Sequence, residues 1–309
     1  MEFSITLLGT NSALPSPERF TAAQVLQVHN KLYLIDCGEG TQIRMAQFGI
    51  RRSKIHQIFI SHLHGDHFYG LMGLLTSFAL NGRAAPIDIF SPPGLEEIIR
   101  VLVHYQGGGA FSYPIRFHII DTTLHQLIYE DAALRVFSLP LKHQIPTAGF
   151  LFVEKERERN ILPDKIAGYQ IPIAWIRAIK QGADFVAPDG KVILNTELTR
   201  SPAPPRAYAY CSDTRYHEAL IPLLKGVDLL YHEATFLHQD LANAEETLHA
   251  TATEAAQVAA QAQVGTLILG HFSSRYKTTE AFIKEARAIF NPTLAGYDGM
   301  IYNVPLREY

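Results

Sequence analysis

The sequence predicts an α/β fold, in which strands and helices follow one another along the chain. Short apolar runs bounded by turn residues alternate with amphipathic stretches, most clearly between residues 31 and 105. Several apolar runs also end in a histidine or an aspartate, as strands do in α/β folds that collect functional groups at their ends. With 309 residues, of which 47% are hydrophobic and 18% charged, the chain has enough apolar side chains to bury a large core.

The N-terminal elements follow from apolar periodicity and from the turns that separate the elements. His29–Asn30 joins two strands into a hairpin, and the turns at residues 36–41 and 92–94 each open a helix. We predict strands at 3–8, 23–28, 31–35, 58–60 and 87–89, and helices at 42–48, 71–75 and 95–105. The triple glycine at 107–109 follows no strand, so we interpret it as a connection and not as a nucleotide-binding loop.

The C-terminal part begins with short strand-like runs that extend from residue 117 to residue 152. Further along the chain, strands and helices alternate again. We predict strands at 149–153, 227–231 and 266–269, and helices at 216–224, 255–262 and 279–289. Thr251 or Thr253 is suited to cap the helix at 255–262, because a threonine hydroxyl accepts a hydrogen bond from the first turn.

The alternation is interrupted at residue 154, where a run of charges of alternating sign begins. The core pattern resumes only at residue 206. We therefore predict a single domain over residues 1–309 that carries an inserted arm at 154–195. The composition of this stretch is equally that of a surface excursion with a solvated charge run.

The predicted arm contains the only tryptophan of the chain, Trp175, close in sequence to Arg177 and Lys180. An aromatic ring with nearby cations suits RNA binding, because bases stack on the ring and phosphates pair with the cations. The same residues would equally serve to anchor the arm to the body of the protein.

The most informative stretch is Ser61-His62-Leu63-His64-Gly65-Asp66-His67, which lies between a strand and a helix. His62 and His64 are two positions apart, so an extended backbone directs both imidazoles the same way. Asp66 and His67 come after the bend at Gly65 and face a second point. Neutral imidazole and carboxylate are good zinc ligands, so these residues predict a metal site.

Three further candidate ligands each follow an apolar run later in the chain. They are His143, Asp213 and His271. Four ligands in one short turn cannot all bind a single tetrahedral ion, so the additional residues indicate two sites. Together with the turn at 61–67, this series resembles the metallo-β-lactamase superfamily over nearly the whole chain.

The resemblance implies a ligand set for each of two zinc ions. One zinc ion takes His62, His64, His143 and Asp213. The second takes Asp66, His67 and His271, with Asp213 shared as a bridge. The superfamily also places Asp36 near the metal centre. Two metals held in this way can bind a bridging hydroxide and stabilise the transition state of phosphoryl transfer.

Two short motifs make the resemblance narrower. His232-Glu233-Ala234-Thr235 and His249-Ala250-Thr251 resemble the ribonuclease Z family, endonucleases that trim the 3′ ends of tRNA precursors. That family also carries a tRNA-binding arm between the ligands that correspond to His143 and Asp213. The resemblance implies a four-layer αβ/βα sandwich, two zinc ions per chain, a homodimer and precursor tRNA as substrate.

The resemblance also implies catalytic roles. Asp66 orients the attacking water or accepts its proton, and His249, held cationic by Glu233, protonates the leaving 3′-oxygen. Arg19 belongs to a loop that handles the end of the substrate. The family pattern for this loop is Pro-x-Lys-x-Arg-Asn, and here Pro17 and Phe20 replace its lysine and asparagine. The Gly-Pro pair that is usual in the arm is likewise replaced, by Ile173-Ala174.

Charge and cysteine content restrict the remaining possibilities. The formal net charge of −3 gives no overall signal for nucleic acid, so a basic surface has to be local. Two cysteines in apolar contexts do not predict a disulfide framework, and no apolar run is long enough for a membrane span. We expect a cytoplasmic protein. Two alternatives remain: a metal hydrolase acting on a small ester, and an RNA-binding protein without catalysis.

Overall fold

The computed structural model describes residues 2–106 and 111–307. The triple glycine at 107–109 lies outside the described residues. Over its described residues, the first part of the chain forms six strands and three α-helices, with a 3₁₀ helix at Arg52–Lys54. In chain order they are β1 (Phe3–Gly9), β2 (Ala23–Val28), β3 (Lys31–Ile35), α1 (Thr41–Gln47), β4 (Ile55–Phe59), α2 (Gly65–Leu80), β5 (Ile87–Ser91), α3 (Leu95–Tyr105) and β6 (Ile115–Ile119).

Three antiparallel strands and a stretch of short elements come next. The strands are β7 (Leu127–Glu130), β8 (Leu134–Pro140) and β9 (Ala148–Glu154). The short elements are β10 (Asn160–Ile161), α4 (Pro163–Gly168), α5 (Ile173–Lys180), β11 (Phe185–Val186), β12 (Val192–Ile193), α6 (Asn195–Leu198) and β13 (Thr199–Arg200).

The last part of the chain returns to longer strands that alternate with helices. Its elements are β14 (Ala207–Cys211), β15 (Leu229–Glu233), α7 (Leu241–Thr247), α8 (Ala252–Ala262), β16 (Thr266–Gly270), α9 (Glu280–Arg287), β17 (Thr293–Ala295) and β18 (Ile301–Asn303). Among residues 2–106 and 111–307, no helix has both the length and the apolar character that crossing a bilayer requires.

The longer strands form two seven-stranded sheets. The first sheet has the order β18-β1-β2-β3-β4-β5-β6, and the second has the order β17-β16-β15-β14-β9-β8-β7. In the first sheet, β3, β4, β5 and β6 run parallel. In the second sheet, β14, β15, β16 and β17 run parallel. Each sheet therefore has a block of strands whose carboxyl ends lie along one edge.

The two sheets pack face to face, with helices on the outside of each. Side chains of both sheets, including Phe59, Phe150 and Tyr208, form one buried cluster between them. A second cluster packs α1, α2 and α3 on the first sheet, and a third packs α8 and α9 on the second. The layers are helix, sheet, sheet and helix. This confirms the predicted four-layer αβ/βα sandwich.

Most predicted elements are observed with ends shifted by a few residues. The helix predicted at 71–75 is α2, which begins six residues earlier, at Gly65. Two further predictions need correction. The stretch predicted as a helix at 216–224 is a 3₁₀ helix, Glu218–Leu224, because Pro222 has no N–H to continue an α-helix. The strand predicted at 227–231 is β15, which extends to Glu233. His232 and Glu233 are therefore strand residues instead of following the strand.

A second compact unit contains Glu154–Arg206 together with Leu306 and Arg307. It has its own small core, which includes Ile179, Phe185 and Leu198. The buried Glu154 carboxylate accepts hydrogen bonds from Arg206 and Arg157 at 2.8–3.0 Å and so joins the two ends of this stretch. The arm at 154–195 stays a prediction; the observed unit extends to Arg206.

Candidate metal centre

The candidate metal ligands lie at the carboxyl ends of strands from both sheets. His62 and His64 follow β4, and Asp66 and His67 lie in the first turn of α2. From the second sheet, His143 follows β8, Asp213 follows β14, and His271 follows β16. Sequence positions as distant as 62 and 271 therefore meet where the two sheets adjoin.

The first donor set consists of His62, His64, His143 and Asp213, whose ligand atoms all lie within 4.8 Å of one another. His64 Nδ1 lies 3.1 Å from His62 Nε2 and 3.1 Å from His143 Nε2. Asp213 Oδ2 lies 3.5 Å from His62 Nε2 and 3.6 Å from His143 Nε2. Three imidazoles and one carboxylate oxygen thus converge on one point.

The second donor set consists of Asp66, His67 and His271. The two histidine Nε2 atoms are 3.3 Å apart, and each lies 3.4–3.5 Å from Asp66 Oδ2. Asp213 Oδ1 is 3.2 Å from His67 Nε2 and 3.1 Å from His271 Nε2. Asp213 therefore directs one oxygen to each donor set.

These distances fit a divalent metal. A tetrahedral zinc ion with bonds of about 2.0–2.1 Å has ligand atoms about 3.3 Å apart. The nitrogen and oxygen contacts in the two donor sets span 3.1–3.6 Å. Nitrogen atoms of neighbouring histidines do not attract one another without a shared proton or ion. The convergence is therefore the geometry expected of a metal centre.

The far side of most imidazoles is already occupied by a hydrogen bond. His67 Nδ1 donates to Asp36 Oδ2 at 2.7 Å, and His143 Nδ1 donates to the Leu248 carbonyl at 3.1 Å. His62 Nδ1 contacts Ser61 Oγ at 3.0 Å. Such outer partners fix the tautomer and orientation of a ligating histidine. These outer partners therefore direct the Nε2 atom of each ring to the centre.

Burial and the nearby carboxylates have opposite effects on the histidines. Burial lowers the pKa of His62 well below its usual value and also lowers the pKa of His64 and His143. These three rings are neutral near pH 7 and can donate lone pairs. Burial also acts to lower the pKa of His67, yet Asp213, Asp66 and Asp36 outweigh it and raise that pKa. This excess of negative charge favours a cation in the second donor set.

Asp36 holds several parts of the centre together. Its carboxylate is fully buried and accepts hydrogen bonds from the Ser61 main chain at 2.7 Å and the Ser61 hydroxyl at 2.8 Å. It also accepts from Tyr210 at 2.7 Å, in addition to His67. Asp36 thus links both sheets to one ligating ring. Only the superfamily resemblance, not a local pattern, drew attention to this residue.

Glu233 and His249 form an ion pair beside the second donor set. His249 Nδ1 donates to Glu233 Oε1 at 2.8 Å, and Glu233 is fully buried. Burial acts to lower the pKa of His249, but the Glu233 carboxylate outweighs it and raises the pKa to about 9. His249 also forms a metal-capable group with Asp213 and His271, so it lies at the centre itself.

Three residues of the centre adopt the left-handed backbone conformation. The φ angles of Asp36, Asp213 and His271 are 54°, 59° and 57°. Each residue directly follows a strand or begins the loop after it, and the positive φ turns its side chain out of the strand direction. Residues other than glycine adopt this backbone conformation at a free-energy cost of about 1–3 kcal/mol each, so packing around the centre has to enforce it.

A cleft of about 480 Å³ opens onto the centre. Asp66, Asp213, His249 and His271 line it. The loop after β1 covers part of the cleft, and the main-chain N–H of Ala13 donates to Asp66 Oδ2 at 2.8 Å. A substrate that reaches the centre therefore passes this loop.

Arg19, predicted to bind substrate, belongs to this loop but is not among the residues that line the cleft. Its guanidinium lies over the ring of Phe272, 5.3 Å from the ring centroid, next to His271. This stacking holds the loop against the end of β16.

Trp175, Arg177 and Lys180, the other predicted substrate-binding residues, all belong to α5 in the second unit. Trp175 is 37% exposed and packs its edge against Phe185, with ring centroids 5.4 Å apart. Arg177 is exposed, while Lys180 lies 3.5 Å from the Glu158 carboxylate. Residues two apart on a helix do not face each other, so Trp175 and Arg177 point in different directions.

Comparison with known proteins identifies close relatives over the whole chain. The chain is 46% identical to "Ribonuclease Z" of Parabacteroides distasonis, over 98% of this chain and 99% of that protein. It is 44% identical to "Ribonuclease Z" of Bacteroides fragilis, over 97% of this chain and 98% of that protein. A family model described as Anti-Pycsar protein Apyc1 matches residues 3–104.

A solved structure with the same fold is that of human tRNase Z, short form. It superimposes with a TM-score of 0.71 at 28% sequence identity, over 98% of this chain and 100% of that chain. The likeness therefore includes both sheets and the strand ends that carry the candidate ligands.

Proposed function

The chain belongs to the ribonuclease Z family, and from this premise we propose that it removes 3′ trailers from tRNA precursors. It is a metal-dependent endoribonuclease, a hydrolase with the metallo-β-lactamase fold. The observation that carries the proposal is the pair of donor sets that share Asp213 at the base of an open cleft. Full-length relatives named ribonuclease Z support the substrate class.

We propose that two zinc ions are held per chain. His62, His64 and His143 would hold the first ion, and Asp66, His67 and His271 the second, with Asp213 shared between them. Paired divalent cations supply an acidified water and electrostatic stabilisation of a phosphoryl transition state. We assign the transfer of protons to and from the reacting oxygen atoms to the side chains of Asp66 and His249.

Asp66 faces the cleft and is proposed to orient the attacking water or to accept its proton. Burial acts to raise the pKa of Asp66, but His67 and His271 outweigh it and lower that pKa. The side chain is therefore a carboxylate near pH 7. Its Oδ2 already accepts the Ala13 N–H, which fixes the direction of the carboxylate.

His249 is proposed to protonate the leaving group. Attack of the water oxygen on phosphorus breaks the bond to the 3′-oxygen of the tRNA, and that oxygen takes up a proton to become a hydroxyl. The 5′-phosphate remains on the trailer. Glu233 holds His249 Nδ1 at 2.8 Å, which leaves Nε2 as the ring atom able to donate.

Substrate contacts outside the centre are assigned to the second unit and to the loop after β1. We propose that Trp175, Arg177 and Lys180 contact the tRNA and that Arg19 positions the loop near the cleavage site. A homodimer is also proposed, by analogy with the family. Both cysteines are free and buried, which suits a reducing compartment such as the cytoplasm.

A 3′-trailer processing assay tests the proposal. Purified protein is incubated with a precursor tRNA, with and without a chelator, and both product ends are mapped. We expect a tRNA that ends in a 3′-hydroxyl, with cleavage abolished by chelator and restored by added zinc. Activity on bis(p-nitrophenyl) phosphate without any cleavage of precursor tRNA would instead support the small-ester hydrolase.

A further inference from the structure

We propose that two buried hydroxyl groups, those of Ser61 and Thr235, are positioning residues for the two donor sets. Each hydroxyl links a buried carboxylate to one ligating imidazole: Asp36 to His62 through Ser61, and Glu233 to His271 through Thr235. The inference rests on the proposed function only in taking the donor sets to bind metal.

The contacts of Thr235 determine the direction of its hydrogen bonds. Thr235 Oγ1 lies 2.6 Å from Glu233 Oε2 and 3.0 Å from His271 Nδ1, and Thr235 is 2% exposed. A hydroxyl has one proton, and a carboxylate only accepts. The 2.6 Å contact to the carboxylate takes the hydroxyl proton in preference to the longer, 3.1 Å contact to the His271 carbonyl. The hydroxyl oxygen is left to accept a proton from His271 Nδ1.

The consequence is a fixed tautomer of His271. When Nδ1 of His271 carries the proton and donates it to Thr235, Nε2 is unprotonated and its lone pair is available to a metal ion. Nε2 lies 3.1 Å from Asp213 Oδ1 and 3.3 Å from His67 Nε2, inside the second donor set. Thr235 thus holds this ring in the state that a metal requires.

Ser61 repeats the arrangement at the first donor set. Its hydroxyl lies 2.8 Å from Asp36 Oδ2, 3.0 Å from His62 Nδ1 and, at a longer distance, 3.4 Å from His67 Nδ1, and the residue is fully buried. Because the Ser61 hydroxyl donates its proton to the Asp36 carboxylate, its oxygen is left to accept a hydrogen bond from His62 Nδ1. His62 Nε2 is then free to face His64 and Asp213.

The Glu233 link has a second branch. Its Oε2 accepts from Thr235, while its Oε1 accepts from His249 Nδ1 at 2.8 Å and from the Thr214 main chain at 2.8 Å. One carboxylate therefore orients both a candidate ligand and the candidate proton donor. The second donor set and His249 are therefore coupled through the Glu233 carboxylate and the Thr235 hydroxyl.

Zinc titration in competition with a chromophoric chelator, on metal-free protein and without RNA, tests the inference. Each variant that removes a hydroxyl, Thr235→Val or Ser61→Ala, should weaken one of the two binding steps about 10–100-fold, the range for outer partners of metal ligands. The two variants should affect different steps. Thr235→Ser and Ser61→Thr, which keep the hydroxyl, should restore the wild-type affinity.

Thr199→Val is the matched control. Thr199 is also a buried threonine with a bridging hydroxyl, which bonds Arg159 at 2.6 Å and the Asn195 carbonyl at 2.8 Å within the second unit. Its removal should leave both zinc affinities unchanged. The inference would be overturned if Thr235→Val and Ser61→Ala bound zinc with wild-type affinities, or if both variants weakened the same binding step. It would also be overturned if Thr235→Ser and Ser61→Thr bound zinc as weakly as the variants without a hydroxyl. Wild-type protein that takes up no zinc would contradict the proposed function as well.

Discussion

At the scale of single residues, Glu233 is, with Asp36, one of two buried carboxylates that hold the candidate centre together. It is buried, it bonds His249 and Thr235 through different oxygens, and it accepts the Thr214 main chain. A carboxylate with these partners cannot be replaced without leaving several donors unpaired. Glu233 would act on the reaction through His249. Substitution of His249 is therefore the clearer test, because it does not leave the other partners of Glu233 unpaired.

His249→Ala should slow cleavage of precursor tRNA by about 10²–10⁴-fold, the usual contribution of a general acid. Hydrolysis of bis(p-nitrophenyl) phosphate should fall far less, because nitrophenolate leaves without taking up a proton. Steady-state kcat on both substrates is the measurement. Equal losses on the two substrates would argue against proton donation and favour a metal-ligand role for His249.

The seven candidate ligands were all identified from the sequence, and the structure brings them together in two groups. The short motif at 61–67 is recognisable because four donors occur within six positions. The contacts of Ser61 and Thr235 could not be anticipated. Threonine and serine are common turn residues, and the Thr235 contact with His271 joins positions 36 residues apart. Only folding brings such pairs together.

At the scale of elements, α8 has a complete capping box that orients its first turn near His249. Thr251 Oγ1 accepts from the Glu254 main chain at 3.2 Å, and Glu254 Oε2 accepts from the Thr251 main chain at 2.8 Å. The sequence allowed either Thr251 or Thr253 as the cap. The structure selects Thr251, because only its backbone is extended before the helix.

Thr251→Ala should lower the free energy of unfolding by about 1 kcal/mol, the typical contribution of an N-cap. Thr253→Ala is the matched control, since it removes the same kind of hydroxyl from the second residue of the helix, which is not the cap. Urea denaturation of both variants measures the difference. Equal destabilisation by the two substitutions would contradict the assignment of the cap.

Asp131 ties β3 to the β7–β8 hairpin and so connects the two sheets. Its carboxylate bonds Lys31 at 2.6 Å, Tyr33 at 2.7 Å and Tyr129 at 3.1 Å, as well as two main-chain N–H groups. Burial acts to raise the pKa of Asp131, but Lys31, Tyr33 and the main-chain donors outweigh it and lower the pKa to about 2.

This lowered pKa predicts a pH dependence of stability. The contribution of Asp131 is fully present above its ordinary pKa of 3.8 and is lost as the pH falls towards 2. It amounts to about 2 kcal/mol. Asp131→Asn should therefore be less stable than wild type at pH 6, and the two unfolding free energies should converge towards pH 2. A difference that stays constant over this range would contradict the assignment.

At the scale of the whole molecule, the positions of many elements follow from local patterns, whereas the four-layer arrangement and the pairing of distant strands do not. Alternating apolar runs predicted β1 to β5 and α3 with small errors at their ends. The pairing of β1 with β18 aligns Ser4 with Asn303, and no local signal indicates so distant a partner. The 3₁₀ helix at Glu218–Leu224 was misjudged because its apolar spacing is also that of an α-helix.

Trp175→Ala combined with Arg177→Ala should weaken binding of precursor tRNA by about tenfold or more, because stacking on one aromatic ring contributes about 1–3 kcal/mol. Hydrolysis of bis(p-nitrophenyl) phosphate should be unchanged. Filter binding measures the RNA affinity. Trp175→Leu, which keeps an apolar side chain against Phe185 but offers no ring for base stacking, separates loss of stacking from loosening of the second unit. Unchanged RNA affinity in the double variant would remove these residues from the proposal.

Removal of metal should lower the unfolding temperature. The donors come from β4 and α2 on one side and from the ends of β8, β14 and β16 on the other, so a bound cation links the sheets. A ligand present at 100 times its dissociation constant stabilises the folded state by about 2.7 kcal/mol. Calorimetry with and without chelator measures the effect. Identical transitions in both conditions would exclude such a link.

The wide separation of the donors along the chain also has a consequence during synthesis. His271 completes the second donor set, and β18 closes the first sheet only at residues 301–303. A chain whose translation stops before residue 271 lacks one ligand of the second donor set. We therefore expect products truncated before this residue to bind no metal ion in the second donor set and to be inactive on precursor tRNA.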